Sequence, residues 1–553
     1  MGRKKVPPSA LAKALAKLPI DDAKKLLAVA ARTARARSKT IVALGSSHLA
    51  RVSRWVDAQD AVTLALCALA CVFTYLAASY VSAALVPKVD VALTDEERRG
   101  GYDAPGGKSQ KWKRGAPFPK DRIPCYDPGT MEMLGPDMPA MSAADVKAAI
   151  AKARIAQKQW ATSSFAKRRS LLRVIQRFVL ENQDEICEVS GAFYTLVPIR
   201  PRSRGERRSL RTFAGASLRP GSLAFNPDTP RRLSTPLLTP LNSTPTIACM
   251  ERPSARDSGK PLVDAAFGEI LTTMEKIKWL LKEGERWLRP EKRGAGLMMF
   301  YKSARVEYRP VGVMGAIVPW NYPFHNVFNP LLANVFAGNA LVVKVSEHAS
   351  WSSKYYGRAI KACLAAVGAP TDLVQIVHGY AEAGGAVVTG GCDKVVFVGS
   401  TGVGRAVMRA AAETLTPVVL ELGGKDPFIV LQDADLSQCV PMALRGAFQS
   451  CGQNCAGAER FYVHAKKYDE FVKRVVAAAS KCRQGWALAP NVDCGAMCMP
   501  NQAAYVQSLV DDAVAKGATA AVGGAMDADA AGQARPISHW SPYDRVGVVN
   551  ADP

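Results

Sequence analysis

MGAIVPW, residues 314–320, is the first of four apolar runs that decide the fold class; the others are NALVVKV (339–345), LVQIVHG (373–379) and KVVFVGS (394–400). Each run is rich in β-formers and has the length of a strand, and helical stretches separate the runs. Buried parallel strands have continuous apolar sequences of this kind. Strands that alternate with helices predict an α/β fold built on a doubly wound parallel sheet.

A candidate nucleophile, Cys455, lies in FQSCGQNCAGAER, residues 448–460. It follows a helix-like run and precedes Gly457, where a thiol can face a cleft. Upstream, Glu421 lies in VVLELGGKDP, an apolar run that ends in a Gly-Gly turn. A thiol and a carboxylate can act as nucleophile and general base. Taken alone, however, a single cysteine is more often a small core residue.

Polar residues follow three of the predicted strands, at the edge where the crevices of α/β sheets bind ligands. Asn321 in PWNYP offers a side-chain amide that can stabilise an oxyanion. Lys344 and Glu347 follow the second run, and a carboxylate there can accept both hydroxyls of a ribose. The turn FVGSTGVGR, residues 397–405, joins a strand to a helix, where backbone N–H groups favour a pyrophosphate. Its glycines lack the GxGxxG spacing and serve equally well for tight packing.

Together these pieces are specific. Their order, PWNYP, KVSE, FVGSTGVG, ELGGKDP and GQNC, closely resembles the aldehyde dehydrogenase superfamily from about residue 124 to 524, excluding residues 191–254. The resemblance implies a Rossmann-like NAD-binding domain, an α/β catalytic domain, and a β-hairpin near 298–311 that builds oligomers. The sequences of these motifs, together with an apolar N-terminal segment, look most like the plant and algal family 22 branch.

The resemblance also implies residue roles. The family's nucleophile falls on Cys455, its general base on Glu421 and its oxyanion-hole asparagine on Asn321. The nucleotide contacts that it implies are Trp320, Lys344, Glu347, Gly399, Ser400, Thr401, Gly402, Val403 and Gly404. The cofactor implied is NAD, preferred over NADP because the carboxylate of Glu347 would repel a 2′-phosphate.

The implied reaction oxidises an aldehyde to a carboxylic acid. The Cys455 thiolate would form a hemithioacetal, hydride transfer to NAD would give a thioester, and Glu421 would activate the water that hydrolyses it. A covalent intermediate divides one hard step into two easier ones. The ordinary thiol pKa of about 8.5 would have to be lowered, and a deprotonating neighbour or a helix N-terminus can do this.

Charge and cysteine content argue against other function classes. The net charge is +24, but residues 1–60 hold thirteen Lys and Arg against four acids, and residues 191–254 hold ten Arg against three acids. The predicted folded part has no basic stripe interleaved with aromatic residues, so we expect no nucleic-acid partner. The thirteen cysteines form no disulfide framework, and their CxxxC pairs have no histidine nearby, so we expect no metal site.

The N-terminal region predicts membrane attachment. Residues 1–60 are a basic extension that fits a targeting segment or a solvated arm. Residues 61–86, AVTLALCALACVFTYLAASYVSAALV, contain no charge and no proline, and at about 1.5 Å per residue a helix there crosses a bilayer. The alternative is a buried helix. We expect a membrane location in the secretory pathway, with a plastid or mitochondrion as the alternative.

The remaining boundaries follow from composition. Residues 191–254 contain nine prolines, no lysine and no sustained period, which predicts a disordered insert or translated non-coding sequence. The domains expected are a linker (87–123), an NAD-binding domain (124–190 and 255–420), a partial catalytic domain (421–525) and an irregular tail (526–553).

The tail carries none of the closing motifs that the resemblance implies. Two alternatives to an active dehydrogenase therefore remain, a truncated inactive family member and a membrane-anchored scaffold. In the family the enzyme forms homo-oligomers, and this expectation is weaker for a chain that lacks those motifs.

Overall fold

The computed structural model describes residues 85–94, 112–113, 116–183, 186, 257–487, 491–499, 501–524 and 547–548. The compact unit that carries the fold begins at Lys88. The predicted membrane span at 61–86, except its last two residues, and the predicted insert at 191–254 lie outside the described residues. Within the described part, no helix has the length and apolar character needed to cross a membrane.

A parallel five-stranded sheet forms the centre of this unit, with strand order β7-β6-β5-β8-β9. Its strands are β5 (Val313–Ile317), β6 (Ala340–Lys344), β7 (Val374–Val377), β8 (Lys394–Gly399) and β9 (Val418–Leu422). The four apolar runs form β5 to β8, which confirms the predicted doubly wound sheet. Every residue of β6 is buried, as expected for a strand covered on both faces.

Helices cover both faces of the sheet; β6, for example, contacts α1 on one side and α4 on the other. The helices before the sheet are α1 (Ala143–Ala161), α2 (Phe165–Glu181) and α3, which runs from Leu262 to Trp287 with π-helical turns at Ala266–Leu271 and Leu280–Gly284. Those between its strands are α4 (Pro323–Ala337), α5 (Ser350–Ala366), α6 (Ala381–Thr389) and α7 (Thr401–Thr414).

Ser142 followed three residues later by Asp145 resembles a capping box in the sequence, and the start of α1 confirms it. Ser142 Oγ accepts a hydrogen bond from the Asp145 N–H at 3.2 Å, and the Asp145 carboxylate accepts one from the Ser142 N–H at 2.9 Å. These bonds satisfy N–H groups that the first helical turn leaves without a partner. Near the other end of α1, the indole of the buried Trp160 donates to the Val335 carbonyl and ties α1 to α4.

A smaller α/β element follows the sheet. β10 (Pro427–Val430) pairs in parallel with β11 (Arg460–Val463), and α8 (Leu436–Phe448) and α9 (Ala465–Ala479) pack beside them. Val430, Val440 and Phe471 are part of its separate apolar core. The last long described helix is α10 (Gln502–Ala515), before the short pair β12 (Thr519–Ala520) and β13 (Gly547–Val548).

The structure differs from the prediction made from the sequence in two segments that precede the sheet. The strands expected across 298–311 are largely wrong, because Leu297–Met299 forms a 3₁₀ turn and the hairpin pairs β3 (Glu291–Arg293) with β4 (Ala304–Val306). The sequence of residues 125–134, CYDPGTMEML, predicts a strand, a turn and a strand, but the structure has only one bridge there, between Tyr126 and Met133 around a turn. The short antiparallel pair forms outside it, between β1 (Arg122–Ile123) and β2 (Met138–Pro139).

The tip of the β3–β4 hairpin exposes a row of large apolar side chains. Leu297 is 90% exposed, Met298 88% and Phe300 82%, and Tyr301 beside them is also exposed. Burying such side chains is worth roughly 1.5–3 kcal/mol each. A contiguous apolar patch at the surface of a soluble unit usually marks an interaction site.

We therefore expect the hairpin tip to mediate self-association of this chain. The double substitution Met298→Ser/Phe300→Ser should shift the chain to smaller species in sedimentation velocity, because the apolar area available for burial falls. Ile155→Ser is the matched control, since Ile155 is an isolated exposed residue on α1. Unchanged sedimentation of the double variant would contradict a contact through this tip.

Candidate active site

One cleft of about 790 Å³ brings together half of the residues singled out in the sequence. It lies at the carboxyl edge of the sheet, where β5 stands between β6 and β8 and the winding of the chain reverses. Its lining includes Trp320, Asn321, Gly399, Ser400, Glu421 and Cys455. Lys344, Glu347 and residues 401–404 are not part of this lining and lie at the ends of β6 and β8.

Cys455 lies in a loop after α8, and its side chain is exposed. Neighbouring atoms that displace water raise the pKa of the thiol, and the acidic side chains of Glu421 and Asp426 raise it further. Hydrogen bonds from the backbone N–H groups of Cys455 and Ala456 act in the opposite direction but do not cancel the rise. The net direction is a thiol pKa above its ordinary value, first because burial disfavours the thiolate and second because the side-chain charges that act on Cys455 are acidic.

Glu421 is on β9, where it pairs with Val398 of β8. Its side chain is exposed and lines the same cleft as Cys455. The negative charge of Glu421 is one cause of the raised pKa of the thiol. A carboxylate in the same cleft as a thiol can act as a general base towards the thiol or towards water.

Asn321 follows β5 after Pro319 and Trp320, and its amide is held on both sides. Nδ2 donates to the Gln453 carbonyl at 3.0 Å, and Oδ1 accepts from Asn326 Nδ2 at 3.2 Å. Gln453 precedes Cys455 by two residues, so this bond ties the predicted oxyanion donor to the loop of the nucleophile. An amide nitrogen carries two hydrogens, and the bond to Gln453 leaves one for a substrate oxygen.

Lys344 and Glu347 form an ion pair at the end of β6, with Nζ and Oε2 3.3 Å apart. Lys344 is buried, and Glu347 lies in the 3₁₀ turn that Ser346 caps. Burial raises the pKa of the Glu347 carboxyl, but the positive charges of Lys344 and His348 outweigh this and hold the pKa below its ordinary value. A carboxylate and an ammonium in this position can both bind hydroxyls of a ribose.

The glycine-rich turn forms the N-terminus of α7. Ser400 caps the helix, and its Oγ accepts a hydrogen bond from the Val403 N–H at 3.4 Å. A Cβ at Gly404 would come within 2.8 Å of Leu422, so glycine allows α7 to pack closely on β9, whereas a Cβ at Gly402 would meet nothing. The open backbone at a helix N-terminus fits an anionic phosphate group.

Sequence reasoning missed two groups of residues. Gln453, Gln502 and Tyr505 also line the cleft, the last two from α10. Three buried acids between 257 and 269 contact elements of the site, as described below. These acids had only a weak signal in the sequence. An acidic residue within a mostly apolar helical stretch is the pattern that could have identified them.

Comparison with known proteins identifies the family. The sequence model described as "Aldehyde dehydrogenase family" matches residues 114–192 and 249–536, leaving out most of the predicted insert. An aldehyde dehydrogenase-like protein of Schizosaccharomyces pombe is 35% identical over 73% of this chain and 65% of its own length. A 4,4'-diapolycopene aldehyde oxidase of a Methylomonas species is 39% identical over 48% of this chain and 49% of its own length.

Solved structures agree with the sequence matches. A succinate-semialdehyde dehydrogenase from Burkholderia pseudomallei has a TM-score of 0.60 and 26% identity, over 82% of this chain and 77% of that one. An NAD+ complex of an aldehyde dehydrogenase from Bacillus cereus, 24% identical with a TM-score of 0.59 over 80% and 75% of the two chains, shares the fold. The chain spans about half to two thirds of the length of the curated relatives it matches. On the sequence matches and the shared fold together, this chain belongs to the aldehyde dehydrogenase family.

Proposed function

We propose that this chain oxidises an aldehyde to a carboxylic acid with NAD as hydride acceptor, through a covalent intermediate on Cys455. The observation that carries the proposal is the convergence of Cys455, Glu421 and Asn321 on one cleft at the carboxyl edge of the sheet. These three side chains supply a nucleophile, a base and an oxyanion donor. The finer assignment to the plant and algal family 22 branch stays a prediction from the motif wording, and membrane attachment through 61–86 stays a prediction from composition.

The residues present fit a dinucleotide. The open backbone at Gly402 and the N-terminus of α7 suit a pyrophosphate, and the Lys344–Glu347 pair suits the adenosine ribose. The cleft volume of about 790 Å³ lies in the range of small-molecule and cofactor sites. When bound, NAD supplies the ring carbon that accepts a hydride.

The chemistry of the protein side chains follows from their positions. Cys455 loses its proton and attacks the aldehyde carbon, which gives a hemithioacetal whose oxyanion accepts a hydrogen bond from the Asn321 amide. Loss of a hydride from that carbon leaves a thioester on Cys455. Glu421 then takes a proton from water, the water oxygen attacks the thioester, and the acid departs as the thiol re-forms. One aldehyde, one water and one NAD+ give one acid, one NADH and one proton.

Removing the nucleophile tests the proposal directly. Cys455→Ala should reduce NADH formation from an aldehyde, followed at 340 nm, to background, because the sulfur that forms the thioester is removed. Cys439→Ala is the matched control, since Cys439 lies on α8 outside the cleft lining and should keep its activity. NADH formation that survives Cys455→Ala would contradict the covalent mechanism.

The raised pKa of Cys455 gives a second expectation. The Glu421 charge raises this pKa, so Glu421→Gln should lower it and increase the thiolate fraction at a fixed pH near 8. Alkylation of Cys455 by iodoacetamide, followed on its peptide by mass spectrometry, should therefore become severalfold faster and level off at a lower pH. Aldehyde oxidation by the same variant should be lost, because the base that activates water is gone.

Glu459→Gln is the control for this experiment. Glu459 lines the same cleft but forms an ion pair with Lys425 at 3.1 Å, and it is not among the groups that raise the pKa of Cys455. Slower alkylation in Glu421→Gln than in the unsubstituted protein would overturn the electrostatic argument.

Glu347 should set the preference for NAD over NADP. Its carboxylate would repel a 2′-phosphate, and it also neutralises Lys344. Glu347→Gln removes the repulsion and frees Lys344 to pair with the phosphate, so the ratio of the Kd for NADP+ to that for NAD+ should fall by about tenfold. Calorimetric titration of both nucleotides measures the ratio, with the exposed Glu413→Gln on α7 as control. An unchanged ratio would remove Glu347 from cofactor selection.

A further inference from the structure

Residues 257–269, DSGKPLVDAAFGE, carry three buried acids, and each accepts a hydrogen bond from the backbone of an element that belongs to the site. Asp257 is 3% exposed, Asp264 1% and Glu269 0%. The segment leads into α3 and continues through its first π-helical turn. A buried carboxylate needs hydrogen bonds or a counter-ion to offset the loss of water, so these contacts constrain both partners.

Two of the acids hold the helices that follow strand ends of the site. Asp257 accepts from the Ser352 N–H at 2.8 Å, in the first turn of α5 after Lys344 and Glu347. Glu269 accepts from the His325 N–H at 2.8 Å, in the first turn of α4 after Asn321. Each carboxyl group satisfies a backbone N–H that the first helical turn leaves without a partner, and it thereby also holds the strand end before the helix.

The third acid, Asp264, holds the turn before the nucleophile. Its Oδ2 accepts a hydrogen bond from the Ser450 N–H at 2.8 Å, and its Oδ1 forms an ion pair with Arg445 Nη1 at 2.6 Å. Arg445 is in the last turn of α8, so the carboxylate binds both the end of the helix and the turn that leaves it.

That turn has an unusual backbone. Ser450, Cys451 and Gly452 have φ values of 55°, 61° and 69°, three successive residues in the left-handed region. The left-handed conformation costs a residue with a Cβ roughly 1–2 kcal/mol, and it persists where surrounding contacts enforce it. Ser450 and Cys451 are buried, and the Cys451 thiol lies 3.7 Å from the Gly259 carbonyl that accepts its weak hydrogen bond.

The path of the turn sets the position of Gln453, and hence of Cys455. Gln453 N–H donates to the Ser450 carbonyl at 3.0 Å, and the Gln453 carbonyl accepts from Asn321 Nδ2. The Gln453 side chain accepts from the Cys498 N–H at 2.9 Å. A shift of Ser450 would therefore move the loop of the nucleophile relative to its oxyanion donor.

We propose that Asp264 is a positioning residue for Cys455: by holding Ser450 in the left-handed turn, it sets the path of the loop that carries the nucleophile. The catalytic part of this inference rests on the proposed function, but the structural part does not. Burial raises the pKa of Asp264, while Arg445 and the Ser450 N–H act in the opposite direction.

Protection of Cys451 reports the state of the turn without any need for turnover. In Asp264→Ala, the turn should open more often and iodoacetamide should label Cys451 about tenfold faster, the factor expected from losing a hydrogen bond to a charged acceptor, with fragment ions separating Cys451 from the nearby Cys455. The buried Cys363 on α5 should stay protected, which shows that the core is intact. In the same variant, kcat for the aldehyde should fall while the Kd for NAD+ stays unchanged.

Asp435→Ala is the matched control. Asp435 caps the start of the same helix, α8, by accepting from the Ser437 N–H at 2.8 Å, so its loss weakens α8 without touching the turn. Cys451 should stay protected in this variant. The double variant Asp264→Ala/Ser450→Gly should recover protection and kcat, because glycine adopts a positive φ without the Cβ penalty. A general loss of stability would show no such rescue.

The outcomes separate the inference from the proposed function. Unchanged labelling of Cys451 in Asp264→Ala overturns the inference. If Cys363 also becomes reactive, the milder Asp264→Asn decides, since it keeps the shape and a carbonyl acceptor but loses the charge. It should increase labelling of Cys451 by a smaller factor, and no increase overturns the inference. Exposure of Cys451 with an unchanged kcat also overturns the positioning role. If the unsubstituted protein shows no turnover, the proposed function alone is contradicted. The labelling of Cys451 then decides whether Asp264 holds the turn.

Discussion

The parallel pairing of β5 with β6 on one side and β8 on the other is the constraint on which the site depends. In parallel strands every carboxyl end lies at one edge, so the residues after β5, β6 and β8 meet there whatever their distance in sequence. The interior strand β6 is buried along its whole length, so the charge of Lys344 is tolerated only at its end. The edge strand β9 is partly exposed and carries Glu421 into the cleft, whereas the nucleophile reaches this edge on a loop from a separate element.

The segment 257–269 holds parts of the site that strand pairing does not fix. Pairing fixes the strand ends, but the residues beyond them leave the sheet and need other contacts. Asp257 and Glu269 anchor the helices after β6 and β5, and Asp264 anchors the loop after α8. Glu269 is itself neutralised by the buried Lys260 at 2.5 Å. Because one stretch of chain carries all three acids, it holds the two helices and the loop in defined positions relative to one another.

The features that could be predicted from the sequence are those that depend on residues close to one another along the chain. The apolar runs of β5 to β8 and the capping box at Ser142 depend on neighbours in sequence and along one helix, and both are confirmed. The position of β4 within the 298–311 hairpin was not predicted well, since the alternation of MMFYKSARV fits strand and turn equally. Asp264 was missed because its role comes from Ser450, which is 186 positions away.

The direction of the shift in the thiol pKa could not be predicted from the sequence for a similar reason. A resemblance transfers the identity of a nucleophile but not the charges around it, and these come here from β9 and the start of β10. Glu421 and Asp426 both disfavour a negative charge on Cys455. When two charged residues lie on different elements, the sequence does not show how close they come in the fold, and it therefore does not predict their effect on a third group.

The surroundings of Cys455 act on the proposed reaction at one step. The thiol pKa is raised first by neighbouring atoms that displace water and then by the charges of Glu421 and Asp426, while the backbone N–H groups of Cys455 and Ala456 act in the opposite direction. In the proposed reaction, attack on an aldehyde carbon would move the negative charge from sulfur to oxygen, where the Asn321 amide can donate a hydrogen bond. The cost that burial and the two acids impose on a negative sulfur therefore applies to the loss of the thiol proton and ends once the carbon–sulfur bond has formed.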